Sequence, residues 1–109
     1  LTQGTLTTSA STVLYTVPAS TKSYVTSIKV SNIGASARTI NIYVKKSGGT
    51  ARRYSEKDKS LPAGGTSGCA VQILDDPQEL RLPAGATILG DASANTDCEF
   101  NIVSLEMAE

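Results

Sequence analysis

Three copies of one short phrase constrain this chain more than anything else in it. Val17-Pro18-Ala19-Ser20, Leu61-Pro62-Ala63-Gly64 and Leu82-Pro83-Ala84-Gly85 each set an apolar residue, then Pro-Ala-small, just ahead of a strand-like run. Proline cannot donate to a sheet ladder and presets φ for a turn, and the small residue two places on accepts a tight or positive-φ geometry. The phrase is therefore a corner, and its repetition belongs to a fold built of strands. Pro18 to Pro62 is 44 residues and Pro62 to Pro83 is 21, so the corners are not the period of a solenoid.

The runs between corners alternate with a period of two. Thr12 to Val17 alternates, and after the first corner Tyr24, Thr26, Ile28, Val30 and Asn32 fall on one face. Gly34-Ala35-Ser36 supplies a turn, after which Arg38, Ile40, Ile42 and Val44 resume, with Thr39, Asn41, Tyr43 and Lys45 facing the other way. These two runs are expected to make a hairpin, with Ile28, Val30, Ile40, Ile42 and Val44 at the centre of the core. Gly48-Gly49 marks a further turn, Thr50 to Tyr54 a short strand, and Ser55 to Ser60 a polar loop. Cys69, Val71 and Ile73 then alternate up to the breaker Asp75-Asp76-Pro77, and Glu79 to Leu82 leads into the third corner. Thr87 to Ser93 and Cys98 to Met107 complete the set, with Val103, Leu105 and Met107 carrying strand alternation to the far end.

About eight strands with turns at short intervals predict an all-β, single-domain antiparallel β-sandwich, jelly-roll-like, over residues 12–109. Thirteen threonines and thirteen serines with only 18% charged residues agree, because Thr suits a strand and Ser competes for helical backbone bonds. A chain of 109 residues has room for one core and folds without a metal or a staple. The Thr/Ser-rich residues 1–11 are expected to be an N-terminal arm, either one that orders against a neighbouring subunit or a frayed terminus. No apolar run approaches the ~20 residues that span a bilayer, so a soluble chain is expected.

Much chemistry is excluded by composition. Histidine is absent, which removes Ser-His-Asp and Cys-His nucleophile activation and every imidazole zinc site. Two cysteines cannot make a four-thiolate site, and no Gly-rich phosphate loop appears. Net charge is zero, so no overall field draws in nucleic acid or an anionic membrane, and neither is expected as a partner. Asp75, Asp76 and Glu79 cluster around Pro77, but the residue types suit a solvated turn better than a calcium loop or a glycosidase pair. No metal, cofactor or catalytic residue is therefore expected.

Two sets of residues remain as candidates. Cys69 and Cys98 lie in phase with apolar neighbours and should point inward, either as buried thiols or as one disulfide. Lys45, Lys46, Arg52 and Arg53 bracket the Gly48-Gly49 turn and would form a small basic patch if the flanking strands pair. Such a patch serves either as a partner contact or as the charge that keeps an exposed sheet edge from pairing with other chains.

Taken together, "TVLYTVPASTKSYVTSIKVSNIGASARTINIYV", a polar excursion, "LPAGGTSGCAVQIL" and "RLPAGATILGDASANTDCEFNIVSLEM" resemble a group of small tailed-bacteriophage virion proteins, over roughly Thr12 to Met107. In these a "lYtVPa" opening is followed by "L.aG.tl" and a closing strand. The resemblance implies a non-enzymatic structural protein of the phage particle: a capsid decoration or cement protein, or a head–tail or tail accessory. It further implies a homo-oligomer, a trimer being expected, that contacts other virion proteins. The charged loop Ser55 to Ser60 departs from the pattern. The alternative expectation is a carbohydrate-binding or adhesin-like module in host recognition, for which Tyr15, Tyr24, Tyr43, Tyr54 and Phe100 are the available aromatic platforms.

Overall fold

The structure, a computed structural model, describes residues 1–74 and 80–108. Among the described residues ten strands follow one another: β1 Thr2–Thr5, β2 Val13–Thr16, β3 Thr21–Asn32, β4 Arg38–Lys45, β5 Arg52–Arg53, β6 Lys59–Leu61, β7 Ala70–Leu74, β8 Leu80–Leu82, β9 Thr87–Ala92 and β10 Cys98–Ala108. One sheet runs β1-β10-β3-β7 with β8 also on β3, and the other runs β2-β9-β4-β5 with β6 also on β4. Every pairing is antiparallel.

Because β7 and β8 share one lane beside β3, and β5 and β6 share one beside β4, each sheet is four lanes wide. The chain passes from layer to layer at nearly every connection, which is the path of a jelly roll. The eight expected strands correspond to β2, β3, β4, β5, β7, β8, β9 and β10, while β1 and β6 arise in segments read as an arm and a polar loop. The core between the layers holds Val25, Ile28 and Val30 of β3, Ile40 and Ile42 of β4, Ile88 of β9 and Ile102 of β10, all fully buried. Val44 packs at its margin.

The expected hairpin of the two longest early strands is not formed. β3 lies in the first sheet between β10 and β7/β8, and β4 lies in the second sheet. The connection between them is a corner between layers, built around Asn32, which is 1% exposed. Its Nδ2 donates to the carbonyls of Ser36 and Pro62, each at 2.9 Å, and its Oδ1 accepts from the Gly34 N–H at 2.9 Å. Gly64 N–H donates to the Gly34 carbonyl at 2.8 Å, and a Cβ on Gly64 would stand 2.8 Å from the Ile33 carbonyl carbon. Only glycine lets the two corners approach this closely.

The Pro-Ala corners behave as their chemistry predicts, with one variation. Ser20 and Gly85 take φ of 55° and 80°, while in the second corner the positive φ passes to Gly65, at 84°. The first and third corners are laced together, Val17 N–H to the Ala86 carbonyl (2.9 Å) and Gly85 N–H to the Val17 carbonyl (3.0 Å).

A β-bulge corrects the single face read for β3. Val103 pairs with Ser27 but Ser104 pairs with Val25, leaving Thr26 as the extra residue. The inward set is thus Ser23 and Val25, then Ile28, Val30 and Asn32, and Tyr24 and Thr26 turn outward. Residues 1–11, set apart above as an arm, contribute β1 to this chain's own first sheet, with Thr2 opposite Ile102 and Thr5 opposite Glu99. Leu6 is fully buried, its N–H donating to the Cys98 carbonyl at 2.8 Å.

Candidate interaction surfaces

The outer face of the second sheet carries a closed polar network. Asn41 of β4 faces outward yet is only 7% exposed. Its Nδ2 donates to Asp58 Oδ1 (3.0 Å) and Asp91 Oδ1 (2.9 Å), and its Oδ1 accepts from the Asp58 N–H (2.8 Å) and from Arg53 Nη1. Tyr43 Oη donates to Asp91 Oδ2 at 3.4 Å, and the Arg53 guanidinium sits 5.2 Å from the Tyr43 ring centre. The network ties the polar segment after β5 to β4. Sequence reasoning placed Asn41 on the outer face but missed its role, because the groups that bury it come from distant segments.

The basic patch is brought together only in part. β4 and β5 pair as expected, Tyr43 opposite Arg53 and Val44 opposite Arg52, which places Lys45 and Lys46 nearby. Successive strand residues face opposite ways, so Arg53 shares the outer face with Lys45 while Arg52 does not. Arg53 is drawn into the Asn41 network, and the four cations do not converge on one face.

Both cysteines are free thiols. Cys98 is fully buried, but Cys69 is only half-buried, which corrects the expectation that both point inward. Asn32 of β3 separates them: it is paired with Cys98 on one side, and its N–H donates to the Cys69 carbonyl on the other at 2.8 Å. Two lanes set their Cα atoms about 10 Å apart, beyond the reach of a disulfide. Burial pushes the Cys98 thiol above its ordinary value, the neighbouring Asp97 charge adds to this, and Arg38 opposes it. Asp75, Asp76 and Glu79 lie outside the described residues. Among the described residues no three His, Cys, Asp or Glu side chains gather as metal ligands.

The outer face of the first sheet is divided. Toward one end it is polar, with Glu99 and Asn101 of β10, Lys29 of β3 and Gln72 of β7. Toward the other it is apolar: Val103 is 43% exposed, Leu105 61% and Met107 47%. Leu105 pairs with Tyr24, which pairs with Arg81 of β8, and the guanidinium lies 5.7 Å from the Tyr24 ring centre. Tyr24, Thr26, Arg81, Leu105 and Met107 line one shallow depression. Alongside it, among the described residues, β1 pairs with β10 from Glu99 to Ile102.

No family model, curated protein or solved structure matches the chain. The outward apolar stripe was legible as strand but not as surface. Its signal is the adjacent pair Ile102-Val103, where the apolar set changes phase from Phe100 and Ile102 to Val103, Leu105 and Met107.

Proposed function

We propose that this protein is a non-enzymatic structural component that works as a homo-oligomer through protein–protein contacts, of the bacteriophage virion class that its sequence resembles. Within that class the reading is a capsid decoration or cement protein, or a head–tail or tail accessory, located in the particle and contacting other virion proteins. The observation that carries it is the Tyr24, Val103, Leu105 and Met107 surface, where large apolar side chains lie contiguous on one sheet face. Clustered exposed apolar groups of this kind mark contact sites. A rigid sandwich with such a face suits a lattice, where symmetry repeats each modest contact.

The carbohydrate-binding alternative stands second. Sugar rings stack on open aromatic faces, but Arg53 occupies a face of Tyr43, Arg81 a face of Tyr24, and Tyr15 and Phe100 are buried, which leaves Tyr54 as the open ring of the five. The test is to express the tagged chain in cells producing the particle and to fractionate the lysate on a density gradient. Sedimentation with particles, lost on Leu105→Lys, is the expected result. A stable monomer that never accompanies particles contradicts the reading.

A further inference from the structure

We propose that a cleft where the edges of the two sheets meet, walled by Tyr54 on one side and by β7 on the other, binds a single neutral sugar ring. The inference goes beyond the reading above and does not rest on it.

The cleft has a volume of about 190 Å³ and is lined by Tyr54, Ser55, Glu56, Lys59, Gln72 and Ile73. That is below the roughly 300–1,000 Å³ of pockets for drug-sized ligands, so it suits one ring and not a long ligand. Its first wall is held by β4. Tyr54 N–H donates to the Ile42 carbonyl at 2.7 Å and Ser55 Oγ accepts from the Ile42 N–H at 2.9 Å, so the segment carrying Tyr54 and Glu56 is pinned before any ligand arrives. Its second wall is a β-bulge. Ile28 pairs with Leu74 but Lys29 pairs with Gln72, leaving Ile73 as the extra residue of β7. Gln72 Nε2 spans the bulge, donating to the Leu74 carbonyl at 3.1 Å and to Ser27 Oγ at 2.8 Å. Bulges re-aim side chains, and this one brings Gln72 and Ile73 together on the cleft.

The groups present are those that a pyranose uses. The C–H face of a sugar ring stacks on an aromatic ring, and Tyr54 is 37% exposed with no guanidinium over it among the described residues. Ile73 adds apolar surface. Sugar hydroxyls both donate and accept, and the cleft offers both kinds of partner: Glu56 accepts, Lys59 donates, and Gln72 Oε1 accepts, its Nε2 being already engaged. Glu56 and Lys59 stand 3.9 Å apart with opposite charge, so the lining carries no net charge to favour an anion or a cation. An apolar ligand would take water from these polar groups and return no hydrogen bond.

Proton–nitrogen correlation spectra of the purified chain, titrated separately with glucose, galactose, mannose and N-acetylglucosamine to about 100 mM, test the site. At least one of the four is expected to bind saturably, with a Kd on the order of a few millimolar for so small and open a site, and to move the amides of Tyr54, Ser55, Gln72 and Ile73 most. Tyr54→Ala should weaken that binding at least about tenfold and Glu56→Ala about threefold, while Tyr54→Phe, which keeps the ring, stays within about twofold of wild type. The Glu56 side chain is 81% exposed, so Glu56→Ala keeps the wild-type unfolding midpoint and serves as the variant whose folding is unaffected. No saturable shift from any of the four, shifts centred away from the cleft, binding indifferent to Tyr54→Ala and Glu56→Ala, or tighter binding of the anionic N-acetylneuraminic acid than of every neutral sugar overturns the site.

Discussion

Asn32 does more for this architecture than its position at the end of an alternating strand suggests. Replacing it with alanine leaves the Ser36, Leu61 and Pro62 carbonyls and the Gly34 N–H without this partner. Urea unfolding of Asn32→Ala should therefore show a loss of about 3 kcal/mol. The cysteines make a second case. A thiol reagent added to the native protein should modify Cys69 quickly and Cys98 only on unfolding, and Cys69→Ser should abolish the fast phase. Because folding raises the Cys98 thiol above its ordinary 9.0, the stability it contributes is complete below that value and is lost as pH climbs through the folded value. Tyr15, raised first by burial and then by its bond to Glu106, acts in the same sense above its ordinary 10.0. Unfolding free energy should thus decline on the alkaline side, and less steeply near pH 9 in Cys98→Ala. Neither asparagine was legible as a buried hub, since period-two alternation records which face a residue takes and not what distant backbone arrives to cover it.

At the scale of elements, the sequence carried eight of the ten described strands and most of their inward residues, but not β1, β6, the phase of β3 ahead of Ser27, or the partner of each strand. A hairpin and a step between layers produce the same alternation on either side of Gly34-Ala35-Ser36, and the choice was made by Asn32 and the Leu61-Pro62 corner, 29 and more residues away. The bulge at Thr26 was hidden for a related reason: Tyr24 and Thr26 are as acceptable on an inner face as Ser23 and Val25 are, until β10 fixes the register. Single substitutions separate the two phases. Val25→Ala, at a fully buried position, should cost about 2 kcal/mol in denaturant unfolding, while Thr26→Ala should stay within about 0.5 kcal/mol of wild type. Equal losses at both positions would argue for the unbulged strand.

The molecule as a whole is a jelly roll whose two outer faces differ in kind. The second sheet closes its surface with the network of Asn41, Tyr43, Arg53, Asp58 and Asp91, and the first leaves the apolar side chains of Val103, Leu105 and Met107 exposed. Fold class was legible because corners and alternation are local signals. The surface was not, because alternation says which residues share a face but not which face of the sheet is left uncovered. Amide hydrogen exchange, followed by mass spectrometry at low and high protein concentration, tests the contact most directly. The account predicts that concentration slows exchange in the stretch of β10 around Leu105, with little change in the strands of the second sheet. Protection that grows around Asn41 and Arg53 instead, or in no segment at all, would contradict it.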